Sequence, residues 1–464
     1  MQAKYDVIIV GSGPAGIFAA LELSRATNLK ILLIEKGKDL ENRKCPIIGK
    51  DLTCPPCVPC GLVSGWGGAG AFSDGKLTLS PNVGGLLAGY LGEEAAAELI
   101  QYVDSIYLYF GASDRVYGDS PETERLRQQA ELAGLKLIPV PIRHMGTEHC
   151  REVLEEMRRF LADKVEIRTG VTAASILAEE GKVSGILTQD GQRLDTHCLI
   201  IAPGREGADW LVQEAIRLKL TLRQNPVDIG VRVEVPHVAL KELTSALYEP
   251  KLEFHSPTTG DRIRTFCVCP AGEVTMETTG GQDSVITVNG HSYSHRKTAN
   301  TNFALLVSST FAPPFRDPIA YGRHIARLAN LLSGGVIVQR WGDLKDYRCS
   351  SPESLSEGSV VPTLKSALPG ELGYVLPYRF LTGIGEMLSA MDRLAPGVAS
   401  PNTLLYGVEV KFYSSRLALS KHLESEISNL FAIGDGAGVT RGLIQAAASG
   451  VVVAREILGR VKQT

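Results

Sequence analysis

The chain has 464 residues, 44% of them apolar and 21% charged, which is the composition of a folded protein with room for two domains. Its formal net charge of -3 gives no electrostatic argument for a nucleic-acid partner, and no apolar run is long enough to span a bilayer. Because the first strand begins within five residues of the N-terminus, there is no room for a signal peptide, and we expect a cytoplasmic protein without a membrane partner.

The first thirty-six residues have the pattern of a strand, a glycine-rich turn, a helix and a second strand. Tyr5–Val10 is an apolar, β-branched strand, a helical pattern runs from about Ile17 to Ala26, and Lys30–Ile34 is the second strand. The turn after the first strand reads Gly-Ser-Gly-Pro-Ala-Gly at positions 11–16, and the second strand ends on Glu35. These elements, in this order and spacing, predict a dinucleotide-binding unit.

Each part of this unit has a role in holding a dinucleotide. We expect Gly11 to make the tight turn, Gly13 to let the backbone approach a pyrophosphate, and Gly16 to let the helix pack closely on the strand. The N-terminus of the helix carries unpaired N–H groups, which suit phosphate. Glu35 lies nineteen residues after Gly16, where it is placed to accept a hydrogen bond from a ribose hydroxyl.

Residues 37–75 are rich in Gly, Pro and Cys and show little periodicity, which is typical of a functional segment. Cys54, Cys57 and Cys60 are spaced as ligands of zinc or of an iron–sulfur cluster. Cys45 is a candidate fourth ligand. Two alternatives remain open, a redox dithiol and unligated thiols in a compact loop.

Helices and strands are predicted along the rest of the chain from hydrophobic periodicity. The expected helices are 86–110, 121–133, 147–162, 320–332, 380–394 and 443–458, and the expected strands include 165–169, 174–178, 183–189, 198–202, 227–235, 262–269, 285–288 and 430–433. The fold class is therefore α/β. We predict a Rossmann-like domain of residues 1–208 and 401–464, with a mixed α/β, strand-rich domain of residues 209–400 inserted into it.

The C-terminal segment distinguishes between NAD and FAD as the dinucleotide. A strand that ends in Gly434-Asp435, followed by a helix that begins at Gly442, resembles the second FAD motif of flavoproteins of the glutathione-reductase fold. The segment 202–204, Ala-Pro-Gly, resembles the third motif of that family, usually Ala-Thr-Gly. The resemblance implies that Asp435 hydrogen-bonds the ribityl chain. It also implies that the helix N-terminus faces the flavin edge that becomes negative on reduction.

Three further segments resemble a largely uncharacterised group of bacterial FAD-dependent dehydrogenases, namely 67–77, 225–232 and 266–270. The resemblance implies FAD, with its isoalloxazine between the two domains and the inserted domain over its reactive face. No second strand–GxGxxG–helix unit is present, so we expect no dedicated nicotinamide domain. The residues predicted to bind FAD are Gly11, Gly13, Pro14, Ala15, Gly16, Glu35, Lys36, Trp66, Gly67, Gly68, Ala69, Gly70, Ser73, Asp74, Val171, Ala202, Pro203, Gly204, Gly434, Asp435, Gly442, Leu443 and Ile444.

Two groups of residues outside the cofactor motifs are candidates for catalysis. Cys267 and Cys269 share a face of a predicted strand, and they are either thiols beside the flavin or buried small side chains. His291 alternates with Tyr293 and His295, and this group would bind a polar substrate or move protons unless it is an exposed turn.

Three cations are further candidates. Lys411 and Arg416 precede the last FAD strand, and they either face the flavin or are solvated surface charges. Arg441 lies just before the flavin-facing helix, where it would bind a substrate carboxylate or neutralise reduced flavin.

The sequence as a whole predicts an FAD-dependent oxidoreductase that transfers hydride between a small-molecule substrate and flavin N5. Electrons would leave or arrive through a diffusing nicotinamide, through oxygen, or through a cluster at the Cys segment. Two alternatives remain. One is a flavin-dependent tRNA-modifying enzyme, against which the charge balance argues, and the other is a non-catalytic flavin or metal sensor.

Overall fold

The computed structural model describes residues 4–25, 29–46, 57–73, 75–118, 120–138, 140–223, 227–247, 249–279, 284–292, 297–309, 311, 317–411 and 416–462. The chain divides into two compact units. The first unit consists of Met1–Val116, Pro141–Asn225 and Ser414–Thr464, and the second of Tyr117–Val140 and Pro226–Tyr413. No helix in the described ranges combines the length and the apolar composition that crossing a membrane requires.

Most of the predicted α-helices are present in the described residues, whereas the helices at 208–217, 237–247, 341–345 and 352–356 are not predicted. The predicted helix 86–110 is two helices, because Gly92 has φ +89° and ψ 157°, which interrupts the helical path. The helices are α1 (Pro14–Ser24), α2 (Leu87–Leu91), α3 (Glu93–Tyr109), α4 (Pro121–Leu132), α5 (Thr147–Leu161), α6 (Ala208–Arg217), α7 (His237–Leu247), α8 (Pro318–Ser333), α9 (Trp341–Lys345), α10 (Pro352–Ser356), α11 (Tyr378–Leu394) and α12 (Leu443–Val461).

The strands include several that have no strong signal in the sequence, among them the two-residue strands. They are β1 (Lys4–Val10), β2 (Ile31–Glu35), β3 (Lys76–Thr78), β4 (Val116–Tyr117), β5 (Lys136–Ile138), β6 (Ile142–His144), β7 (Glu166–Thr169), β8 (Ala173–Glu179), β9 (Lys182–Thr188), β10 (Arg193–Ile201), β11 (Leu222–Arg223), β12 (Val227–Pro236), β13 (Lys251–His255), β14 (Arg262–Cys269), β15 (Glu273–Thr279), β16 (Val285–His291), β17 (Asn300–Ser309), β18 (Ile337–Arg340), β19 (Leu368–Pro369), β20 (Leu404–Lys411), β21 (Arg416–Leu417) and β22 (Leu430–Ala432).

The first unit is built on a seven-stranded sheet of order β7-β2-β1-β10-β9-β8, in which β22 also pairs with β10. The strands β7, β2, β1, β10 and β22 run parallel to one another, and β9 pairs antiparallel with β10. Their apolar side chains are buried, as expected for a parallel sheet covered on both faces. The carboxyl ends of five parallel strands therefore meet at one edge, where open α/β sheets bind ligands.

The second unit is built on an eight-stranded, mostly antiparallel sheet of order β19-β18-β20-β12-β17-β14-β13-β5. One face of the central strands is apolar and contributes to a core that includes side chains of α7 and α11. The other face of β12 carries Asp228, Arg232 and Glu234, all of them fully buried. Buried charges on a sheet face are costly unless they are paired.

The second unit has different bounds from the inserted domain of residues 209–400 that the sequence predicts. Helix α6 falls in the first unit, whereas residues 117–140 belong to the second unit. The reason is that β5 pairs with β13, with Leu137 opposite Leu252. Pairing between strands so far apart in the chain leaves no local trace in the sequence.

Candidate functional site

The ends of the parallel strands of the first unit bring the predicted cofactor motifs together. The turn at Gly11 follows β1, and its N–H donates to the carbonyl of Ile34 on β2 at 2.8 Å. The N–H of Ala202, after β10, donates to Val10 at 2.8 Å. The N–H of Ile433, after β22, donates to Ile201 at 2.9 Å. These bonds fix the three motifs side by side at one edge of the sheet.

The three glycines of the first turn have different surroundings. A Cβ on Gly11 would lie 2.1 Å from the carbonyl oxygen of Ala202, and a Cβ on Gly16 would lie 1.9 Å from that of Gly11. Both positions are therefore closed by the protein itself. A Cβ on Gly13 would meet no atom within 4 Å, so this glycine borders open space in front of α1. That space is where a ligand group can approach the backbone.

Two helix N-termini of the first unit have neither a side-chain cap nor an acidic residue in the first turn. Helix α1 begins at Pro14 after Gly13, and α12 begins at Leu443 after Gly442. The free N–H groups and the partial positive charge at such ends favour an anion. This suits the diphosphate of FAD at α1 and the edge of reduced flavin at α12, so the residues present fit the cofactor at both ends.

Glu35 is saturated with hydrogen bonds from the protein. Its Oε2 accepts from the N–H of Ser12 at 2.9 Å and from the Ser12 hydroxyl at 3.0 Å. Its Oε1 accepts from the N–H of Gly37 at 2.8 Å and of Gly65 at 2.9 Å. Four donors occupy the acceptor positions of a carboxylate, so a ribose hydroxyl would have to share one of them. Glu35 ties the glycine turn at 11–16 to the start of a second glycine-rich segment, residues 65–70, which we call the glycine run.

Arg43 is a functional candidate that the sequence reasoning missed. The side chain is buried, and its guanidinium donates to the carbonyl oxygens of Gly61 at 3.0 Å, Leu62 at 2.7 Å, Trp66 at 2.6 Å and Gly68 at 2.8 Å. Desolvation lowers the pKa of Arg43 to about 10, against the attraction of the Glu35 carboxylate. A single arginine between two motifs carries no signal in one sequence that would identify this role.

The glycine run lies against the turn at the start of α1. The N–H of Gly67 donates to the carbonyl of Ser12 at 2.8 Å, and a Cβ on Gly68 would lie 3.0 Å from the Cα of Gly13. The side chain of Trp66 points into the core, where its Nε1 donates to the carbonyl of Leu154 at 2.9 Å. Only the backbone of Trp66 is therefore left to face a ligand.

Asp435 keeps acceptor capacity. It accepts from the hydroxyl of Thr440 at 2.9 Å and, at 3.3 Å to each oxygen, from the N–H of Gly442. The guanidinium of Arg205, which is largely exposed, lies at 3.5 Å. Burial raises the pKa of Asp435, and Arg205 opposes this shift. The long contacts leave lone pairs for a further donor, which fits a ribityl hydroxyl.

The remaining predicted FAD residues lie around the same edge. Lys36 forms an ion pair with Glu206 at 3.3 Å, and the N–H of Val171 donates to the carbonyl of Glu35 at 3.0 Å. The turn at Pro203 and Gly204 packs closely on the second motif. The predicted positions that lie in the 3-10 turn Gly68–Phe72 or next to it are Gly67, Gly68, Ala69, Gly70 and Ser73. Asp74 lies outside the described residues.

The proposed metal ligands are only partly described. Cys54 lies outside the described residues, whereas Cys45, Cys57 and Cys60 are free thiols that are half-buried or exposed. Within the part of the chain that the structure describes, no group of three or more His, Cys, Asp or Glu side chains is arranged to hold a metal ion.

Lys411 and Cys267 meet at a buried ion cluster in the second unit. Glu409 accepts from Arg232 at 2.7 and 2.9 Å and from Lys411 at 2.8 Å. Burial opposes ionisation of Glu409, but Arg232 and Lys411 hold its pKa below the ordinary value. Arg232 also donates to the carbonyl of Cys267 at 3.1 Å. This cluster satisfies the charge of Arg232 and stabilises the sheet face.

The prediction that Cys267 and Cys269 share one strand face is wrong. A bulge interrupts the pairing of β14 between Phe266 and Cys269, and Cys267 has φ +42°, so side chains do not alternate there. His291 is exposed at the end of β16, and residues 293–296 lie outside the described ranges. The N–H of Arg441 donates to the carbonyl of Gly84 at 2.7 Å.

Two sequence families match the chain. Residues 226–412 match the family described as FAD-dependent protein, C-terminal domain-like, and residues 5–52 match the family described as pyridine nucleotide-disulphide oxidoreductase. Together with the cofactor edge of the first unit, these matches confirm the predicted class. The chain is an FAD-dependent oxidoreductase with a Rossmann-like α/β fold.

Individual proteins resemble the chain at low identity. An uncharacterized protein of Clostridium beijerinckii is 27% identical over 482 residues, which cover 98% of this chain and 81% of that protein. The tRNA uridine 5-carboxymethylaminomethyl modification enzyme MnmG of Treponema denticola is 26% identical over 204 residues, 44% of this chain and 26% of the enzyme.

Solved structures also resemble the chain. A variant of the E. coli quinol fumarate reductase subunit FrdA has 13% identity and a TM-score of 0.42, and the alignment covers 100% of this chain and 71% of the subunit. L-proline dehydrogenase from P. horikoshii has 11% identity and a TM-score of 0.38, with 99% and 95% covered.

Proposed function

We propose that the protein transfers hydride between a carbon of a small-molecule substrate and N5 of FAD held in the first unit. The observation that carries this proposal is the pair of uncapped helix N-termini, at Pro14 and at Leu443, on the edge where the cofactor motifs meet. FAD, when bound, supplies the redox chemistry, and the protein supplies binding, orientation and electrostatics.

The chain's own residues have separate parts in this proposal. The N-terminus of α1 binds the diphosphate, and the open space at Gly13 lets the phosphates approach the backbone. Asp435 accepts a hydrogen bond from the ribityl chain. The N-terminus of α12 stabilises negative charge on the flavin edge, which favours the reduced state. Glu35 and Arg43 hold the glycine run against the turn, one through N–H groups and the other through carbonyls.

The test of this proposal is the absorption spectrum of the protein purified without oxygen, followed by analysis of the heat-released cofactor. We expect FAD, and we expect anaerobic bleaching of the flavin by one member of a panel of reduced small molecules or by a reduced nicotinamide. Release of NAD alone, or of no nucleotide, would remove the cofactor from the proposal. A flavin that no donor reduces would favour a sensor instead.

A second candidate function is modification of tRNA. The match to the Treponema denticola enzyme supports it, although the net charge of -3 does not. Retention of tRNA by the purified protein, at an ionic strength that removes non-specific binding, would favour this candidate. We expect no such retention.

We also propose that Cys54, Cys57 and Cys60, with Cys45, hold zinc or an iron–sulfur cluster. The spacing of the thiols in the sequence supports this proposal. Metal and sulfide analysis of anaerobic protein tests it. Iron with acid-labile sulfide would indicate electron transfer, and zinc would indicate a structural clamp. Trace metal, with all the thiols freely alkylated in the native protein, would leave a dithiol or unligated thiols.

A further inference from the structure

Two arginines of the first unit lie directly opposite each other on a two-stranded ribbon. Strands β11 and β21 pair antiparallel, with Leu222 opposite Leu417 and Arg223 opposite Arg416. Residues directly opposite in such a pair point to the same face. The two leucines pack on the core of the unit, so the two arginine side chains project from the opposite face of the ribbon. Like charges in this arrangement destabilise a ribbon.

No carboxylate in the described part of the chain relieves this repulsion. Within the described residues, neither Arg223 nor Arg416 forms an ion pair with a side chain of the protein. The Nε of Arg416 is buried and has no hydrogen-bond partner. Glu426 contacts the residue before β11 but is engaged there, because it accepts from the N–H and the hydroxyl of Thr221 at 2.7 Å each.

A tyrosine completes the group. The hydroxyl of Tyr90, on α2, lies beside both guanidinium groups and within hydrogen-bonding reach of Arg416. Burial raises the pKa of Tyr90, and the two arginines only partly oppose this effect. The phenol therefore stays protonated at neutral pH and can donate a hydrogen bond. Two planar, permanently charged guanidinium groups and the O–H donor of Tyr90 match the geometry of a carboxylate.

The group belongs to the same part of the first unit as the start of α12. The N–H of Leu86, just before α2, donates to the carbonyl of Val439 at 2.9 Å. The amide of Gln445 donates to the carbonyl of Val83 at 2.9 Å. The segment that carries Tyr90 is thus tied to the segment between Asp435 and α12, where the flavin-facing end of the cofactor site is proposed.

We propose that Arg223, Arg416 and Tyr90 form a binding site for a carboxylate group of the substrate. This inference rests on the proposed function for the word substrate, but the site itself does not depend on FAD. The anion relieves the repulsion between the two arginines and accepts hydrogen bonds from their guanidinium groups and from the Tyr90 hydroxyl. The enzyme is therefore assigned to organic acids rather than to neutral or cationic substrates.

The test titrates sodium acetate into the purified full-length protein at constant ionic strength, with acetamide as the neutral control. Binding is read from the unfolding temperature and by calorimetry. We expect acetate, and not acetamide, to stabilise the protein. Arg416→Gln or Arg223→Gln should weaken acetate binding about ten- to a hundredfold, and Tyr90→Phe less. Arg193→Gln removes an exposed cation of the same unit and should change nothing.

A second readout separates this site from a structural role of the arginines. Without acetate, Arg223→Gln should raise the unfolding temperature by about 1–2 °C, because it removes a repulsion. A lower unfolding temperature would indicate that the arginine holds the fold, and it would overturn the inference. Equal effects of acetate and acetamide, or unchanged acetate binding in all three variants, would also overturn it.

Two further outcomes are informative. Inorganic phosphate that binds more tightly than acetate, and that the same variants reject, would reassign the site from carboxylates to phosphates. The FAD content of each sample is read from its absorption spectrum. If the protein contains FAD but does not bind acetate, this inference is wrong and the proposed function is unaffected. If the protein lacks FAD but binds acetate through these residues, the proposed function is wrong and the anion site stands.

Discussion

Glu35 and Asp435 are both carboxylates that follow parallel strands of one sheet, yet their surroundings are opposite. Glu35 accepts four hydrogen bonds of 2.8–3.0 Å from Ser12, Gly37 and Gly65. Asp435 accepts one of 2.9 Å from Thr440 and two long ones of 3.3 Å from Gly442. The acceptor positions of the Glu35 carboxylate are all occupied by donors of the protein. The Asp435 carboxylate has acceptor capacity left at the edge where the cofactor motifs meet.

This difference teaches that a motif position does not by itself identify a ligand contact. An acid at the end of the second strand satisfies the pattern whether it binds a ribose or braces a loop. Two of the three glycines of the first turn differ in the same way. Gly11 is closed by the carbonyl of Ala202, whereas Gly13 faces open space. In each pair, the first residue, Glu35 or Gly11, contacts other parts of the protein and shapes the site. The second residue, Asp435 or Gly13, has room to contact a bound ligand.

The largest effect is expected for Glu35→Ala. The substitution leaves three backbone N–H groups and one hydroxyl without their acceptor in a buried place, which should cost about 3–5 kcal/mol of unfolding free energy. Urea unfolding of the FAD-free protein, followed by circular dichroism, measures it. Glu41→Ala, an exposed acid on the same segment, is the control and should change stability little. A stable Glu35→Ala protein that merely loses FAD would reverse the comparison.

Asp435→Ala should show the opposite pattern, with weaker FAD binding and an unharmed fold. Loss of a hydrogen bond to a charged acceptor corresponds to about a ten- to hundredfold higher Kd for FAD. The stability of the FAD-free protein should not fall, because the removed carboxylate is poorly solvated. FAD retention on ultrafiltration measures the effect, and Asp435→Asn should lie between the alanine variant and the wild type. Equal FAD retention in all three proteins would remove Asp435 from the site.

A smaller effect is expected for Gly13→Ala, which extends the comparison to the glycines. The backbone at Gly13 has φ -73° and ψ -179°, which alanine adopts without strain. The added methyl group enters the open space and should weaken FAD binding about tenfold or less by holding the diphosphate away. Stability of the FAD-free protein should be unchanged. Gly459→Ala, at an exposed position of α12, is the control for the methyl group alone.

The sequence was sufficient for the parts of the site that depend on local pattern. The turn at 11–16, the strand before Glu35 and the helix after Gly442 lie where periodicity and glycine spacing predict them. Local pattern also explains the error at Gly92, since a single glycine is tolerated in helical periodicity but here leaves the helical region.

The parts that sequence reasoning missed depend on contacts between distant residues. Arg43 donates to carbonyls of two separate segments, 61–62 and 66–68, and nothing in its neighbours along the sequence reveals this. The four donors on Glu35 come from three segments that only the fold brings together. The ribbon that places Arg223 opposite Arg416 joins strands that are almost two hundred residues apart.

The smallest effect expected is a pH dependence in which FAD binding and stability change in opposite directions. Burial raises the pKa of Asp435, so the folded, FAD-free protein holds this proton more tightly than the unfolded chain does. As the pH falls through the pKa of folded Asp435, protonation therefore favours the FAD-free fold. The same protonation weakens the hydrogen bond that a ribityl hydroxyl donates to the carboxylate, so FAD retention should fall by a few-fold.

Asp435→Asn should remove both responses, whereas Glu41→Ala should remove neither. If stability and FAD retention fell together in the wild type and also in Asp435→Asn, the acid response would belong to other carboxylates, and Asp435 would be as closed to the cofactor as Glu35.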